Sequence, residues 1–599
     1  MKSARRIVLA VTLLFFARPA AATIGYHISL KNPEQHLFHV SMEIPAQPAD
    51  QEIIVALPAW NALYQVRDFS YRVRDVRARN SATAAAAPLP VRILDKQTWK
   101  ISLPGAGADS PAQTATLEYS IEWDDPGPFN SQLNAHHAFV NFAEVLMYVP
   151  TRRAEETRVE FDDLPDSWRV AAELPAGSPP NSFVAASYDK LVDAPAEVGK
   201  FSEFGFDEAG AHFRVVVDGK EWRRESLEST LRDITKYEVH LMGGAPFNQY
   251  TFFFHFGPYF EVGGGGMEHS NCTAISSSSG EAAASVAAHE FFHAWNVKRI
   301  RPRTLEPVDY TKEMYSRALW FAEGVTSTYG SYALERSGLW TKDQFYTDLA
   351  GQIGELDSRP AHRWQSVEES SLDAWLEGYD EYRLPERSIS YYNKGQIVGD
   401  ILDLAIRDAT DNHKSLDDVL RRMYDVYAKQ GRLYADSQGV QAVAEEVAGV
   451  KFDDFFRRYV AGTDEIPYDK FLDAAGLRLK VERRAAPEMG FYISGRGPGG
   501  QVLVSQVVPG SAAEAAGLQA GDALVTLNGQ APPRYLPAWL RQHEPGDTVT
   551  LRIQRDNQDL DLKLTLGSID LNKFTLVETP GASEKQKRIR DGWLKGKTD

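Results

Sequence analysis

Residues 287–300 read Ala-Ala-His-Glu-Phe-Phe-His-Ala-Trp-Asn-Val-Lys-Arg-Ile. Two histidines four apart share one face of a helix, about one turn from each other, so His289 and His293 can aim both imidazoles at a single point. That arrangement pins this stretch as helix and asks for a partner. A catalytic zinc site takes three protein ligands and keeps one position open for water. Glu290, beside the first histidine, would project near that water and accept its proton. The five-residue pattern alone recurs by chance, and two helix histidines are its ordinary meaning. Its surroundings decide.

A third ligand should come from a second helix. The stretch Ser-Arg-Ala-Leu-Trp-Phe-Ala-Glu-Gly-Val, residues 316–325, sets Glu323 among Leu319, Trp320, Phe321, Ala322 and Val325. A carboxylate in such company is costly to bury unless something positive neutralises it, and a divalent cation does so. The alternative is an exposed helix glutamate at the rim of an apolar stripe. Glu313, among polar neighbours, is the other acid downstream of the histidines.

The rest of the chain divides by pattern. At 599 residues it is too long for one domain. Residues 1–22 combine a basic start (Lys2, Arg5, Arg6), an apolar run from Ile7 to Phe16 and the small residues Ala20–Ala22, which together make a signal peptide. We therefore expect an exported, periplasmic or secreted protein, with no membrane segment once the signal is cleaved; an uncleaved anchor is the alternative. Export permits disulfides, yet Cys272 is the single cysteine, so stability must come from packed cores. The net charge of −17, more negative without the basic leader, speaks against nucleic acid or anionic lipid as a partner.

From 23 to 182, segments such as His-Leu-Phe-His-Val-Ser-Met-Glu-Ile and Ala-Thr-Leu-Glu-Tyr-Ser-Ile-Glu-Trp alternate apolar and polar residues between Pro and Gly turns. This predicts a β-rich N-terminal domain, with a loop at the alanine-rich stretch from Asn80 to Pro90. Residues 183–478 carry apolar spacings of three and four, as in Ser415–Gln430, which opens with a Ser-x-x-Asp cap. Residues 479–572 run strand, strand, short helix, the turns around Ala516-Gly517-Leu518, Gly521-Asp522 and Asn528-Gly529, helix, two strands; this order resembles a PDZ domain. The polar, basic tail 573–599 is expected to be mobile. The fold class is multidomain α+β.

Four motifs in order now allow a resemblance to be stated. Leu319-Trp320-Phe321-Ala322-Glu323-Gly324 after the histidine helix is similar to the zinc-ligand segment of the gluzincin aminopeptidases. Gly265-Gly266-Met267-Glu268-His269 resembles their Gly-x-Met-Glu-Asn motif, with histidine for asparagine. Tyr392-Asn393-Lys394-Gly395 resembles their Tyr-x-Lys-Gly. The longer spacer between His293 and Glu323, the His-Ala-Trp-Asn-Val-Lys-Arg-Ile-Arg-Pro stretch and the PDZ domain look like the glycyl aminopeptidase family of bacterial zinc peptidases.

The resemblance implies a gluzincin, thermolysin-like, mostly helical catalytic domain and one Zn²⁺ per chain on His289, His293 and Glu323. Glu290 would be the general base on the attacking water. Tyr392 would stabilise the oxyanion, with its neighbour Tyr391 pointing elsewhere on the helix. Glu268 would bind the free N-terminal amine of a peptide, and Gly265, Gly266 and Met267 would let the substrate backbone approach closely. Preference for N-terminal glycine or alanine is implied by the resemblance alone. Cys272 reads as a small buried hydrophobe. Arg299, Arg301 and Arg303 read as a solvated or salt-bridged loop, and Trp295 and Asn296 as packing and capping residues. The loop Glu488–Tyr492 is where a PDZ domain would take a peptide C-terminus. Two other readings stand beside the aminopeptidase: a PDZ-guided zinc endopeptidase, and a PDZ-bearing binding protein with a non-catalytic metal site.

Overall fold

The structure is a computed structural model that describes residues 23–47, 50–61, 64–81, 87–103, 113–257, 264–496, 502–533 and 536–599. The expected signal segment 1–22, residues 82–86 of the expected loop and Gly263 of the glycine run lie outside them. No helix among the described residues is long and apolar enough to cross a membrane.

The chain forms two compact units. The first contains the described residues up to Pro58, then Phe69–Asp124 and Gln132–Gly199. Every strand read from alternation is present there: Leu37–Pro45, Glu52–Ala56, Thr98–Ser102 and Thr114–Glu122. A seven-stranded sheet runs in the order Ser182–Ala185, Thr157–Asp162, Ile24–Ser29, Leu37–Pro45, Thr114–Glu122, Val73–Asn80, Pro88–Leu89. It is antiparallel except where Ile24–Ser29 meets Thr157–Asp162. Val40, Met42, Leu117 and Ile121 point into its core, as period-two alternation requires.

The boundary expected at 182 falls later. Strands Arg169–Ala172 and Ala196–Gly199 pair within the first unit, so this unit closes only at Gly199. The hydrogen-bonded ladder, and not the drop in alternation near Ser182, sets the limit. Two inner segments, Ala59–Asp68 and Asp125–Ser131, belong to the second unit instead. There Trp60 Nε1 donates to Asp309 O at 2.6 Å and Arg67 Nη1 to Phe129 O at 2.6 Å.

In the second unit a five-stranded sheet runs Ser202–Glu208, Ala211–Gly219, Gln249–Phe256, Cys272–Ser277, Gly265–Glu268. Gly265–Glu268 is its edge strand, antiparallel to Cys272–Ser277. The sheet packs on the helices Arg224–Leu241 and Ala284–Phe292 through Phe213, Phe252, Leu231 and Phe291. The helices Thr326–Arg336, Lys342–Asp357 and Tyr391–Ala409 continue the same core. Ser415 caps Leu416–Val426 through a box with Asp418, as its sequence predicts.

The PDZ fold is an insertion with a core of its own. Leu477–Glu488 pairs with Gly567–Glu578 along its whole length as a two-stranded ribbon. Between the ribbon's ends, five strands and two short helices enclose Met489, Val504, Leu524, Leu551 and Ile553. The expectation of a mobile tail fails. Glu584–Lys595 is a helix capped by Ser583 and Gln586, and it buries Ile589 and Trp593 in the core of the catalytic helices. Its polar composition hides an i, i+4 apolar pair that only tertiary packing reveals.

Candidate metal centre and cavity

The helix Ala284–Phe292 carries the two histidines, with His293 at its C-cap. Glu323 lies in a π-helical turn, Trp320–Val325, that leads into the helix Thr326–Arg336. Such widened turns cluster at functional sites because they re-aim a side chain. The segments are tied together by Asn296. Its Nδ2 donates to Phe321 O at 2.8 Å and to Thr326 Oγ1 at 3.0 Å, so this residue does more than cap.

Three ligand atoms meet. His293 Nε2 lies 3.1 Å from His289 Nε2, and Glu323 Oε2 lies 3.2 Å from the first and 3.4 Å from the second. Ligands held at about 2.0–2.1 Å in tetrahedral geometry sit roughly 3.3–3.4 Å apart, which is the size of this triangle. The hydrogen-bond pattern says what the atoms are. His293 Nδ1 lies 2.8 Å from the carbonyl oxygen of Asn296, a pure acceptor, so this nitrogen carries the proton. Ser327 Oγ donates to Glu323 O at 3.1 Å and therefore accepts from His289 Nδ1 at 3.2 Å. Both Nε2 atoms then present lone pairs to a carboxylate, an arrangement that calls for a cation. Burial opposes the charge on Glu323, yet the two histidines hold its carboxyl below the ordinary range. Burial opposes a proton on either imidazole; it prevails at His289, while at His293 the Glu323 carboxylate outweighs it and draws positive charge to this point. A buried field so eager for positive charge fits a divalent ion, and two imidazoles with one carboxylate suit zinc.

Glu290 stands beside the triangle. Its Oε2 is buried with no hydrogen-bond partner, and burial pushes the carboxyl well above its usual range. Oxygen atoms of Glu268 and Glu290 and a ring nitrogen of His293 lie within 4.8 Å of one another. Gly266 makes this possible: a Cβ there would stand 2.2 Å from Glu290 Cγ and 2.5 Å from its Oε1. Met267 points the other way and is buried.

These groups line one cavity of about 540 Å³ with Gly265, Glu268, Tyr391 and Tyr392. Tyr392 is part-exposed on the cavity side, its ring centroid 6.0 Å from that of His289. Desolvation, and after it the charge of Glu323, keeps its phenol protonated far above neutral pH. Tyr391 does not point elsewhere as a regular helix would require. It lines the same cavity, its ring centroid 4.7 Å from that of Tyr392, because both residues sit in the first turn beyond the cap Ser390. Cys272 is buried. Arg299 is held by Ser270 O, Ala294 O and Asn271 Oδ1, and Arg301 pairs with Glu306 at 2.8 Å. Glu313 takes no part in the triangle.

A family profile described as M61 glycyl aminopeptidase matches residues 282–398, and the peptidase M61 N-terminal domain matches 25–200. The chain carries the M61 glycyl aminopeptidase domains. A PDZ domain match covers 476–566. The solved structure of an aminopeptidase N family protein from Idiomarina loihiensis is similar over 96% of this chain and 100% of its own, with 25% identity and a TM-score of 0.80. An M1 zinc metallopeptidase from Deinococcus radiodurans is similar over 74% of this chain and 94% of its own, at 15% identity and a TM-score of 0.45. Protease RseP of Yersinia pestis is 36% identical over 104 residues, 17% of this chain, and the match spans 23% of that relative's length. The chain has a multidomain α+β fold that carries a glycyl aminopeptidase match over its helix of paired histidines and a PDZ match toward its C-terminus.

Several cavity residues escaped sequence reasoning. Tyr64 and Phe129 line it, arriving from the two inner segments far upstream of the ligands in sequence. Ser327, Ser331, Asp348 and Gln396 do so from helices whose pattern reads as ordinary. The one available signal was Ser327, a turn beyond Glu323.

Proposed function

We propose that the protein is an exported zinc aminopeptidase that hydrolyses the first peptide bond of peptides with a free N-terminus and small first residues, glycine or alanine. His289, His293 and Glu323 would hold the ion, which supplies Lewis acidity to the site. Glu290 takes a proton from the attacking water and delivers it to the departing amine. The Tyr392 phenol, with Tyr391 beside it, donates a hydrogen bond to the oxygen on which charge develops. The edge strand Gly265–Glu268 offers its backbone to the substrate as an added strand would take it.

The observation that carries the exopeptidase reading is Glu268. Its carboxylate sits within 4.8 Å of Glu290 and His293, where a compact ammonium would be neutralised and an uncharged mid-chain amide would not. The PDZ loop would take a peptide C-terminus.

The test is hydrolysis of glycyl and alanyl anilides, free and N-acetylated, with and without a chelator. Cleavage of the free forms only, abolished by chelation and restored by zinc, supports the reading. Equal cleavage of acetylated substrates overturns it in favour of an endopeptidase. Full activity after verified metal removal overturns the metal assignment.

A further inference from the structure

The triangle of ligand atoms gives the cavity a direction. On the His293 side stand Glu290 and Glu268. On the other side, His289 Nδ1 meets Ser327, and the helix continues to Ser331 and Leu334. Both residues line the cavity, as do Asp348 and Gln396. Ser331 Oγ donates to Asp348 Oδ2 at 2.9 Å, and Gln396 Nε2 donates to the same oxygen at 2.8 Å and to Ser331 Oγ at 3.2 Å. Two neutral donors therefore fix one oxygen of Asp348. Among the described residues no cationic side chain forms an ion pair with it. The carboxylate is partly buried, and Leu334 and Trp340 give the same cavity an apolar wall.

We propose that Asp348, held by Ser331 and Gln396, is a subsite for a cationic side chain and reads the second residue of the substrate, favouring lysine or arginine there. The inference rests on the aminopeptidase reading, which places the substrate's amine at Glu268 and sends the leaving part toward His289 and Ser327. Ser331 lies eight residues beyond Glu323, roughly 12 Å along the helix. A residue just past the scissile bond advances about 3.5 Å along the backbone, and a long cationic side chain on it extends further along the same cavity wall toward Asp348. The aliphatic stem lies on Leu334 and Trp340, whose indole also favours a cation. A glutamate in the same position meets the like charge of Asp348.

The experiment compares kcat/KM for Gly-Lys, Gly-Ala and Gly-Glu peptide amides of equal length. Wild type should prefer lysine over glutamate about tenfold or more, a ratio that shrinks as salt rises. In Asp348→Asn the ratio should fall close to one, and in Asp348→Lys it should invert. A wild-type ratio near one, a ratio insensitive to salt, or a ratio preserved in Asp348→Asn overturns the subsite. The wild-type salt series decides the matter even where a variant does not fold. Failure to cleave any of the three peptides removes the aminopeptidase reading itself and the subsite with it, whereas cleavage of all three at equal rates removes the subsite alone.

Discussion

Gly324 and Gly395 meet backbone to backbone: a Cβ on Gly324 would stand 2.5 Å from the Cα of Gly395, and one on Gly395 would stand 2.5 Å from the carbonyl oxygen of Trp320. The turn carrying Glu323 thus touches the helix that opens with Tyr391 and Tyr392. The two glycines set the distance from ligand to phenol. Gly395→Ala must push the helices apart, at a cost of about 1–3 kcal/mol for overpacking. The phenols then miss the carbonyl oxygen, and a misplacement of about 1 Å costs roughly a hundredfold in rate. Thermal melts and kcat on a glycyl substrate should show both losses.

Glu290→Gln keeps the shape of the side chain and removes its basicity. The variant should bind zinc at wild-type stoichiometry while kcat falls by about 10²–10⁴-fold. Metal content by atomic emission and steady-state kinetics on one preparation check this. Retained turnover would remove Glu290 from the proton-transfer role.

Lys394 follows Tyr392 by two residues and is buried. Burial, only partly offset by the charge of Glu369, lowers its ammonium to about 8 from an ordinary value of 10.5. Between these values the unfolded chain binds more protons than the folded one, so this residue's share of stability rises with pH from about 8 to 10.5. Below pH 8 the folded protein bears the whole burden of a buried charge, about 3 kcal/mol. Lys394→Met should therefore be the more stable protein at pH 7, and its advantage should vanish near pH 10.5. Paired denaturant titrations at the two pH values read the difference.

Trp593 is fully buried and donates through Nε1 to Tyr332 OH at 2.7 Å, while Arg336 Nη2 donates to its carbonyl oxygen at 2.8 Å. Tyr332 and Arg336 lie on the helix that follows Glu323. Trp593→Ala should cost about 3–5 kcal/mol. Chemical denaturation followed by far-UV dichroism tests it, and a tail without structural duty would show no change.

How far the sequence speaks depends on how local the physics is. His289, Glu290, His293 and Glu323 were legible because spacing on a helix and an apolar flank around an acid are local signals. Glu268 is legible only through the resemblance of its motif, and the structure shows why Gly266 is needed: Glu290 fills the space of its missing side chain. Tyr391 is not legible as a cavity residue, since helical spacing alone turns neighbours apart while the cavity here is wide enough to take both opening residues of the helix. Asp348 and Ser331 were silent, since each is a plain helix residue until a second helix faces it. The C-terminal helix is hidden in the sequence because eight charged or polar side chains outvote Ile589, Trp593 and Leu594 in any average over its twelve residues.

The ribbon Leu477–Glu488 with Gly567–Glu578 brings the chain out of the catalytic core and returns it there before the last helix docks. Entry and exit are therefore neighbours, and the enzyme's covalent continuity does not depend on what hangs from them. A short turn spliced across Glu488 and Gly567 would yield a smaller catalyst that keeps Trp593, whereas a stop codon placed before the module would take that tryptophan away with it. Excision and truncation, so alike on a gene map, are opposite operations on this molecule.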